Sequence, residues 1–158
     1  MQHHSVDLAQ INIRELNQQL HTLETSNTTW DITNPHGLHN IAVGLRQMAQ
    51  IKIHGSVGYY CGGLNQAAAI TINGHAGAGV AENILSGQVT VHGHVTQYAA
   101  ASGQGGLVVI DGDAGARCGI AMKGVDIVVK GSVGYMSAFM AQQGHLVAYP
   151  PNNTLIIS

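Results

Sequence analysis

Five short segments of the chain alternate β-branched apolar residues with residues of varied polarity. Each segment places an isoleucine or valine four positions and two positions before a glycine. Alternation with a period of two predicts strands with one buried face. The buried columns are Ile51, Ile70, Val89, Val108 and Ile127, and Ile53, Ile72, Val91, Ile110 and Val129.

The glycines that close these strands recur every nineteen residues. A second glycine follows three positions later in four of the five copies, and a Gly or Ala lies seven positions after each landmark. Recurrence of one residue class at one offset is what stacking of coils in register requires. The landmark glycines are Gly55, Gly74, Gly93, Gly112 and Gly131, and the second glycines are Gly58, Gly77, Gly115 and Gly134.

This repeat predicts an all-β fold, a single-stranded parallel β-helix (a solenoid) of 19-residue coils. The handedness of parallel crossover connections favours a right-handed winding. Partial copies are expected on both sides of the five coils. They place Ile32 nineteen residues before Ile51, Gly44 nineteen before Gly63, and Leu146 and Ala148 in the last strand positions.

A short helical cap is predicted ahead of the coils. Asn12 is a suitable N-cap residue, and Glu15 occupies the third helical position of a capping box. Apolar residues at helical spacing then predict a helix from about Ile13 to Leu23 that lies against the first coil as a cap or against a partner.

The C-terminal segment is expected to end the stack. Pro150 stands where the next landmark glycine would be, and proline lacks the N–H that a further rung would use. Residues 151–153 continue this stop, and 154–158 are expected to fold back as a short strand. We therefore predict one domain, with residues 1–30 as an N-terminal strand and helix cap and residues 31–158 as the β-helix.

Composition excludes several classes of protein. Charged residues make up 9% of the 158-residue chain, against about 25% in an average domain, and the net charge is −2. Such a chain has no basic field for nucleic acid or for a membrane surface. The low charge favours a subunit of a larger assembly. Without a targeting signal or a long apolar run, and with two cysteines, we expect a cytoplasmic protein.

The two cysteines occupy equivalent positions three coils apart. At ~4.8 Å per rung, Cys61 and Cys118 are expected about 14 Å from each other, which is too far for a disulfide or a shared metal ion. They are interpreted as small buried side chains rather than as reactive thiols.

Ten histidines invite a metal hypothesis. The column Ser56, His75, His94, Asp113 and Ser132 is better explained as an outward polar ladder, because its offset differs from that of the buried columns. No phosphate loop, dinucleotide motif or nucleophile signature is present. We therefore assign no catalytic, cofactor-binding or metal-ligating residue to this chain.

Four positions are candidate interface residues. Arg117 is the single arginine and Glu82 the single glutamate within the five coils, and each is interpreted either as an interface residue or as a solvated side chain. The outer strand face becomes apolar at Val109 and Val128, so a docked partner is expected there.

Five blocks carry a resemblance that is more specific than the repeat. They are 34–44 (NPHGLHNIAVG), 55–65 (GSVGYYCGGLN), 79–87 (GVAENILSG), 116–129 (ARCGIAMKGVDIVV) and 131–141 (GSVGYMSAFMA). They resemble the glycine-rich β-helix (GXGXG) family, which is found at the C-terminus of the glutamate synthase large subunit and in one of the subunits of formylmethanofuran dehydrogenase. Within that family the resemblance is greatest to the small free-standing subunits of N-methylglutamate synthases, over about residues 6–147.

The resemblance implies one subunit of a flavoenzyme. Its expected partners are an amidotransferase-like subunit and an FMN-binding glutamate-synthase-like subunit, in a complex that converts methylamine and glutamate to N-methylglutamate and ammonium. Catalytic and flavin-binding residues would then lie in the partners, and this chain would be a non-catalytic scaffold without a cofactor of its own. The members of the GXGXG family have further coils beyond the position that corresponds to Val147 in this sequence.

Other functions remain open. The same resemblance allows a subunit of glutamate synthase or of formylmethanofuran dehydrogenase. A solitary β-helix acting on carbohydrate is disfavoured, because Asp111 and Asp113 are the only close acids among the coils. A self-assembling structural protein would stack end to end through open coils, whereas the N-terminal helix and Pro150 argue against growth at either end.

Overall fold

A computed structural model describes residues 2–22, 26–150 and 155–157, which wind about six turns of a parallel β-solenoid with one short helix. The elements are β1 (Gln2–Asp7), α1 (Ile13–Leu20), β2 (Thr28–Thr33), β3 (Ala49–His54), β4 (Ala69–Ile72), β5 (Gln88–Val91), β6 (Val95–Gln97), β7 (Leu107–Ile110), β8 (Ala114–Ala116), β9 (Lys123–Val129), β10 (Gln143–Ala148) and β11 (Leu155–Ile157). One sheet has the order β1-β2-β3-β4-β5-β7-β9-β10-β11, and β6 and β8 form a second. The predicted parallel β-helix is confirmed.

The main sheet keeps the nineteen-residue register from β3 to β10. Ile51 pairs with Ile70, Ile70 with Val89, and Val89 with Val108. Leu146 pairs with Ile127, as the last partial copy predicts. Both predicted Ile and Val columns are at most 1% exposed, so they form the continuous interior of the solenoid.

A second, narrower ladder lies three to four residues after each strand of the main sheet. It joins Val57, Ala76, Val95, Ala114 and Val133 through parallel bridges. The first four of these side chains are buried. Each of these coils therefore contributes one strand of the main sheet, and either a short strand or an isolated bridge of the second ladder, to a shared core of small and β-branched side chains.

The landmark glycines are required by the close approach of successive coils. A Cβ on Gly74 would lie 2.6 Å from the carbonyl carbon of Gly55, and one on Gly93 would lie 2.7 Å from the carbonyl oxygen of Gly74. Neither Gly74 nor Gly93 has a positive φ. Glycine is therefore required at these positions because a side chain would not fit between the rungs, and not because the backbone is left-handed.

Substitution of such a glycine is expected to force neighbouring rungs apart. Gly93→Ala should lower the free energy of unfolding by about 1–3 kcal/mol, the usual cost of overpacking. Chemical denaturation measures the change. Gly37→Ala is the control, because its Cβ would meet no atom within 4 Å and would carry only the strain of a φ of +69°. An equal or smaller loss at Gly93 would contradict the close-packing explanation.

The first coil is longer than the others. Ile32 pairs with Ile53 and not with Ile51, so the predicted alignment of Ile32 nineteen residues before Ile51 is wrong by two residues. Gly44 does lie beside Gly63, to whose carbonyl oxygen its N–H donates at 2.8 Å. The additional residues fall within the turn that contains Pro35.

The N-terminal segment contributes both a strand and a helix. Strand β1 pairs with β2 over its whole length. The backbone N–H of Glu15 donates to the Asn12 side chain at 2.8 Å, which confirms the predicted N-cap. The helix ends at Leu20, and its predicted last residue, Leu23, lies outside the described residues.

Helix α1 seals the first end of the solenoid with its side chains. The Asn17 amide donates to the carbonyl oxygen of Asn40 at 2.8 Å and accepts from the N–H of Ala42 at 3.0 Å. His21 Nε2 lies 2.7 Å from the carbonyl oxygen of Val43. These contacts replace the hydrogen bonds that another coil would supply to the first corner.

Removal of these capping contacts is expected to lower the stability of the protein. Asn17→Ala leaves two backbone groups without their protein partner and is expected to lower the free energy of unfolding by about 1–2 kcal/mol. Gln18→Ala, on the exposed side of the same helix, controls for the change in helix propensity. Equal unfolding free energies for the two variants in thermal or chemical denaturation would contradict the capping role.

At the other end, the sheet is covered by a reversed strand. Strand β11 pairs antiparallel with β10, with Leu146 opposite Ile157. The predicted fold-back of residues 154–158 is confirmed for 155–157. Residues 151–154, which include the rest of the predicted stop, lie outside the described part of the chain.

Candidate interaction surface

One corner of every coil has a left-handed backbone at alternate residues. In the coil that follows β3, Tyr60, Gly62 and Leu64 have φ of +64°, +67° and +56°. Gly62 faces the core, where its Cβ would lie 3.3 Å from Ile70 Cδ1. The small residue seven positions after each landmark is therefore explained by packing inside the corner.

The residues five positions after each landmark begin this corner, and each has a positive φ. In the first four of them, the backbone N–H donates to the carbonyl oxygen of the residue that precedes the next member of the set. We call this set the left-handed column. It consists of Tyr60, Gly79, Tyr98, Arg117 and Met136.

The guanidinium group of Arg117 lies near aromatic rings of the two neighbouring rungs. Its guanidinium carbon lies 5.6 Å from the ring centroid of Tyr98 and 5.0 Å from that of Tyr135. Both distances are within the range of cation–π attraction. The structure thus gives Arg117 intramolecular aromatic partners, and its role as an interface residue stays a prediction.

Glu82 lies two coils away from Arg117, and the described residues include no ion pair between them. Its carboxylate borders a surface pocket of about 310 Å³ lined by Tyr59, Tyr60, Ala78, Gly79, Glu82 and Tyr98. Burial raises the pKa of the Glu82 carboxyl group. The carboxylate is therefore less solvated than a free surface glutamate.

Val109 and Val128 are neighbours on the outer face of β7 and β9. They pair in register, and both are half-buried. Val147 continues the row on β10, opposite Val128. The predicted apolar row on the outer face is thus a continuous feature of the last three rungs.

The coil that follows β9 carries four large apolar side chains that are exposed. Tyr135, Met136, Phe139 and Met140 are between 40% and 65% exposed. We call these four residues the terminal-coil patch. An apolar cluster of this kind is typical of a surface that contacts another molecule. Sequence reasoning did not assign it, although the run of aromatic and methionine residues in 131–141 was a signal.

The same coil has backbone N–H groups that no described residue accepts. In the preceding coil, Ala114, Arg117 and Ala121 donate their N–H groups to the next rung. The equivalent N–H groups of Val133, Met136 and Met140 have no acceptor among the described residues. The terminal corner therefore combines exposed apolar side chains with unpaired donors, in contrast to the corner sealed by α1.

The predicted polar ladder is a series of side-chain to backbone hydrogen bonds. The N–H of His75 donates to Ser56 Oγ at 3.0 Å, that of His94 to His75 Nδ1 at 2.9 Å, and that of Asp113 to His94 Nδ1 at 2.8 Å. Ser132 completes the series. Because Nδ1 accepts in both imidazoles, each neutral ring carries its proton on Nε2. The ladder thus satisfies backbone donors along one turn.

Other histidines pair with carboxylates rather than with each other. Asp31 lies 2.5 Å from both His3 and His54, and Asp111 lies 2.6 Å from His92. The hydrogen bond from His54 holds the pKa of Asp31 below its usual value, and that from His92 does the same for Asp111. Within the described ranges, no three His, Cys, Asp or Glu side chains are grouped to hold a metal ion.

Both cysteines lie in the core. Cys61 and Cys118 have no exposed surface, and burial raises the pKa of each thiol to about 12. The thiolate is the reactive form of cysteine, so both are unreactive at neutral pH.

No described helix is long and apolar enough to cross a membrane.

Comparison with known proteins gives a close similarity over part of the chain. The chain is 50% identical over 85 residues to "Protein GlxC" of Rhizobium meliloti (strain 1021), and the two are therefore homologous. The match covers 52% of this chain and 37% of GlxC, so the chain spans little more than a third of the length of this relative. No protein-family profile and no solved structure matches the chain.

The exposure of the terminal-coil patch can be tested directly. The double variant Phe139→Ser, Met140→Ser is expected to reduce the fluorescence gain of a hydrophobic surface dye, because it removes two exposed apolar side chains. Its unfolding free energy should stay within about 0.5 kcal/mol of the parent value. Leu38→Ser, Met48→Ser is the matched control at exposed apolar positions elsewhere. Equal dye signals for the two double variants would contradict a distinct patch.

Proposed function

We propose that this chain is a non-catalytic scaffold subunit of a glutamate-synthase-like flavoenzyme, most closely an N-methylglutamate synthase. The proposal is carried by the terminal coil, where an apolar patch and open backbone donors lie together on a chain of very low charge. In a monomeric protein, such a surface is usually buried or carries charged side chains. In an assembly, a partner subunit covers it.

Three further observations support this choice. The confirmed β-helix is the architecture that the GXGXG resemblance implies, and half of the chain matches GlxC at 50% identity. The two cysteines are buried, His75 and His94 accept from backbone N–H groups, and His3, His54 and His92 pair with carboxylates. These groups have structural partners, which agrees with chemistry carried out by other subunits.

In this proposal FMN is bound by a glutamate-synthase-like partner, and an amidotransferase-like subunit is the third member of the complex. The complex would transfer methylamine to glutamate with release of ammonium. The rigid stack of coils would hold the two active subunits at a fixed distance, in the cytoplasm.

The test is affinity purification of the tagged chain from its native cells. We expect a yellow complex with the visible absorbance of flavin, in which mass spectrometry identifies an amidotransferase-like chain and a flavin-binding chain. The purified complex should form N-methylglutamate from methylamine and glutamate.

A matched pair of variants locates the contact in the same experiment. Phe139→Ser, Met140→Ser should lose the partners, and Leu38→Ser, Met48→Ser should retain them. Recovery of a colourless homo-oligomer would contradict the scaffold function and favour self-assembly. A flavin complex that does not make N-methylglutamate would instead favour a glutamate synthase.

A further inference from the structure

The left-handed column contains one gap, at Gly79. Tyr60 lies one rung before the gap and Tyr98 one rung after it, so their positions are separated by about 9.6 Å at ~4.8 Å per rung. A Cβ on Gly79 would lie 3.6 Å from Tyr60 Cδ1 and 2.8 Å from Glu82 Oε2. The missing side chain thus leaves the pocket of about 310 Å³ between two tyrosines, with a carboxylate beside it.

The backbone does not require glycine at this position. Gly79 has a φ of +78°, but Tyr60, Tyr98 and Arg117 adopt φ of +64°, +60° and +61° at the equivalent positions. A side chain is therefore accommodated in three neighbouring rungs of the column. Because Gly79 has no side chain, a slot remains between the neighbouring rungs at this position.

One rung after Tyr98, the column places a cation, Arg117, between Tyr98 and Tyr135, a tyrosine beside the column. Arg117 places its guanidinium within 5.6 Å of the Tyr98 ring and 5.0 Å of the Tyr135 ring. The Gly79 slot likewise lies between two tyrosines, Tyr60 and Tyr98, and the side chain that reaches into it is the Glu82 carboxylate. The chain itself thus shows which charge this aromatic column accepts.

Glu82 adds a complementary charge to the slot. Its side chain is half-buried, and the described residues provide it with no hydrogen bond or ion pair. Burial without a partner raises the pKa of its carboxyl group. A bound cation would relieve this cost, because it stabilises the ionised carboxylate.

We propose that the slot formed by Tyr60, Gly79, Glu82 and Tyr98 binds an organic monocation with an ammonium or guanidinium head. The head lies between the tyrosine side chains and pairs with the Glu82 carboxylate. The volume suits a small alkylated cation or the end of a lysine or arginine side chain. This site goes beyond the proposed function and does not depend on it.

The test is a nuclear magnetic resonance titration of the whole isolated chain. Methylammonium, methylguanidinium and the dipeptide mimic N-acetyl-lysine methylamide are added in turn at constant ionic strength. We expect saturable shifts of the ring resonances of Tyr60 and Tyr98 and of the Glu82 carboxyl carbon. Saturation by methylammonium or methylguanidinium indicates a free small cation, and saturation by the lysine derivative alone indicates a partner's side chain; both support the site.

Variants separate the charge from the shape of the slot. Glu82→Gln should weaken binding about tenfold, the loss of one charge-assisted contact. Gly79→Arg places a guanidinium in the slot and should abolish binding. Glu15→Gln removes the same charge from the exposed face of α1 and should leave binding unchanged. Affinity should also fall as the pH is lowered through the raised pKa of Glu82, since protonation removes the partner charge.

Absence of saturable shifts with all three probes would overturn the proposal. Equal affinities for the parent chain and Glu82→Gln would overturn it as well. The titration uses the isolated chain and measures no turnover, so its failure is distinct from a failure to purify a flavin complex.

Discussion

Hydrogen bonding between the backbones of neighbouring coils is the constraint on which the rest of this structure depends. In the corner, for example, the N–H of Ala81 donates to Cys61, and that of Ala100 donates to Val80. Every interior coil needs one neighbour on each side to satisfy its polar groups. A fixed spacing of nineteen residues keeps these bonds in register, and glycine at the closest contacts lets the coils reach hydrogen-bonding distance.

The same constraint makes the two ends of the solenoid chemically different. At the first end, Asn17 and His21 of α1 supply the bonds that a coil would supply. At the last end, β11 covers the edge of the sheet, but the adjoining corner keeps donors at Met136 and Met140 that no described residue accepts. Met136 and Met140 are also members of the apolar terminal-coil patch. A partner that covers this corner would accept the free N–H groups and bury the apolar side chains. In the proposed scaffold, this end of the solenoid is therefore the one that binds a partner.

The repeat made the interior of the molecule predictable. A column such as Ile51 to Ile127 is buried in every copy, because its position in the rung determines its environment. The register between β2 and β3 was not predictable from the same rule, since Ile32 precedes a turn of different length. The repeat likewise could not place Arg117 between two rings, because those contacts depend on left-handed backbone that no single residue type signals.

The exposed apolar surface was predicted less completely than the core. The row at Val109 and Val128 followed from alternation along the strands. The terminal-coil patch did not, because its residues lie in a corner without a periodic exposure pattern. The slot at Gly79 was hidden for another reason: one glycine among many gives no signal until its neighbours in the column are known to be tyrosines.

Hydrogen exchange of the terminal-coil amides tests the central claim most directly. The exchange rates of Val133, Met136 and Met140 would be compared between the isolated chain and the complex recovered from native cells. We expect fast exchange in the isolated chain and strong protection of these amides in the complex, with little change in the corner sealed by α1. Unchanged exchange at all three amides in a complex that contains the partner subunits would contradict the claim that the open corner is the docking surface.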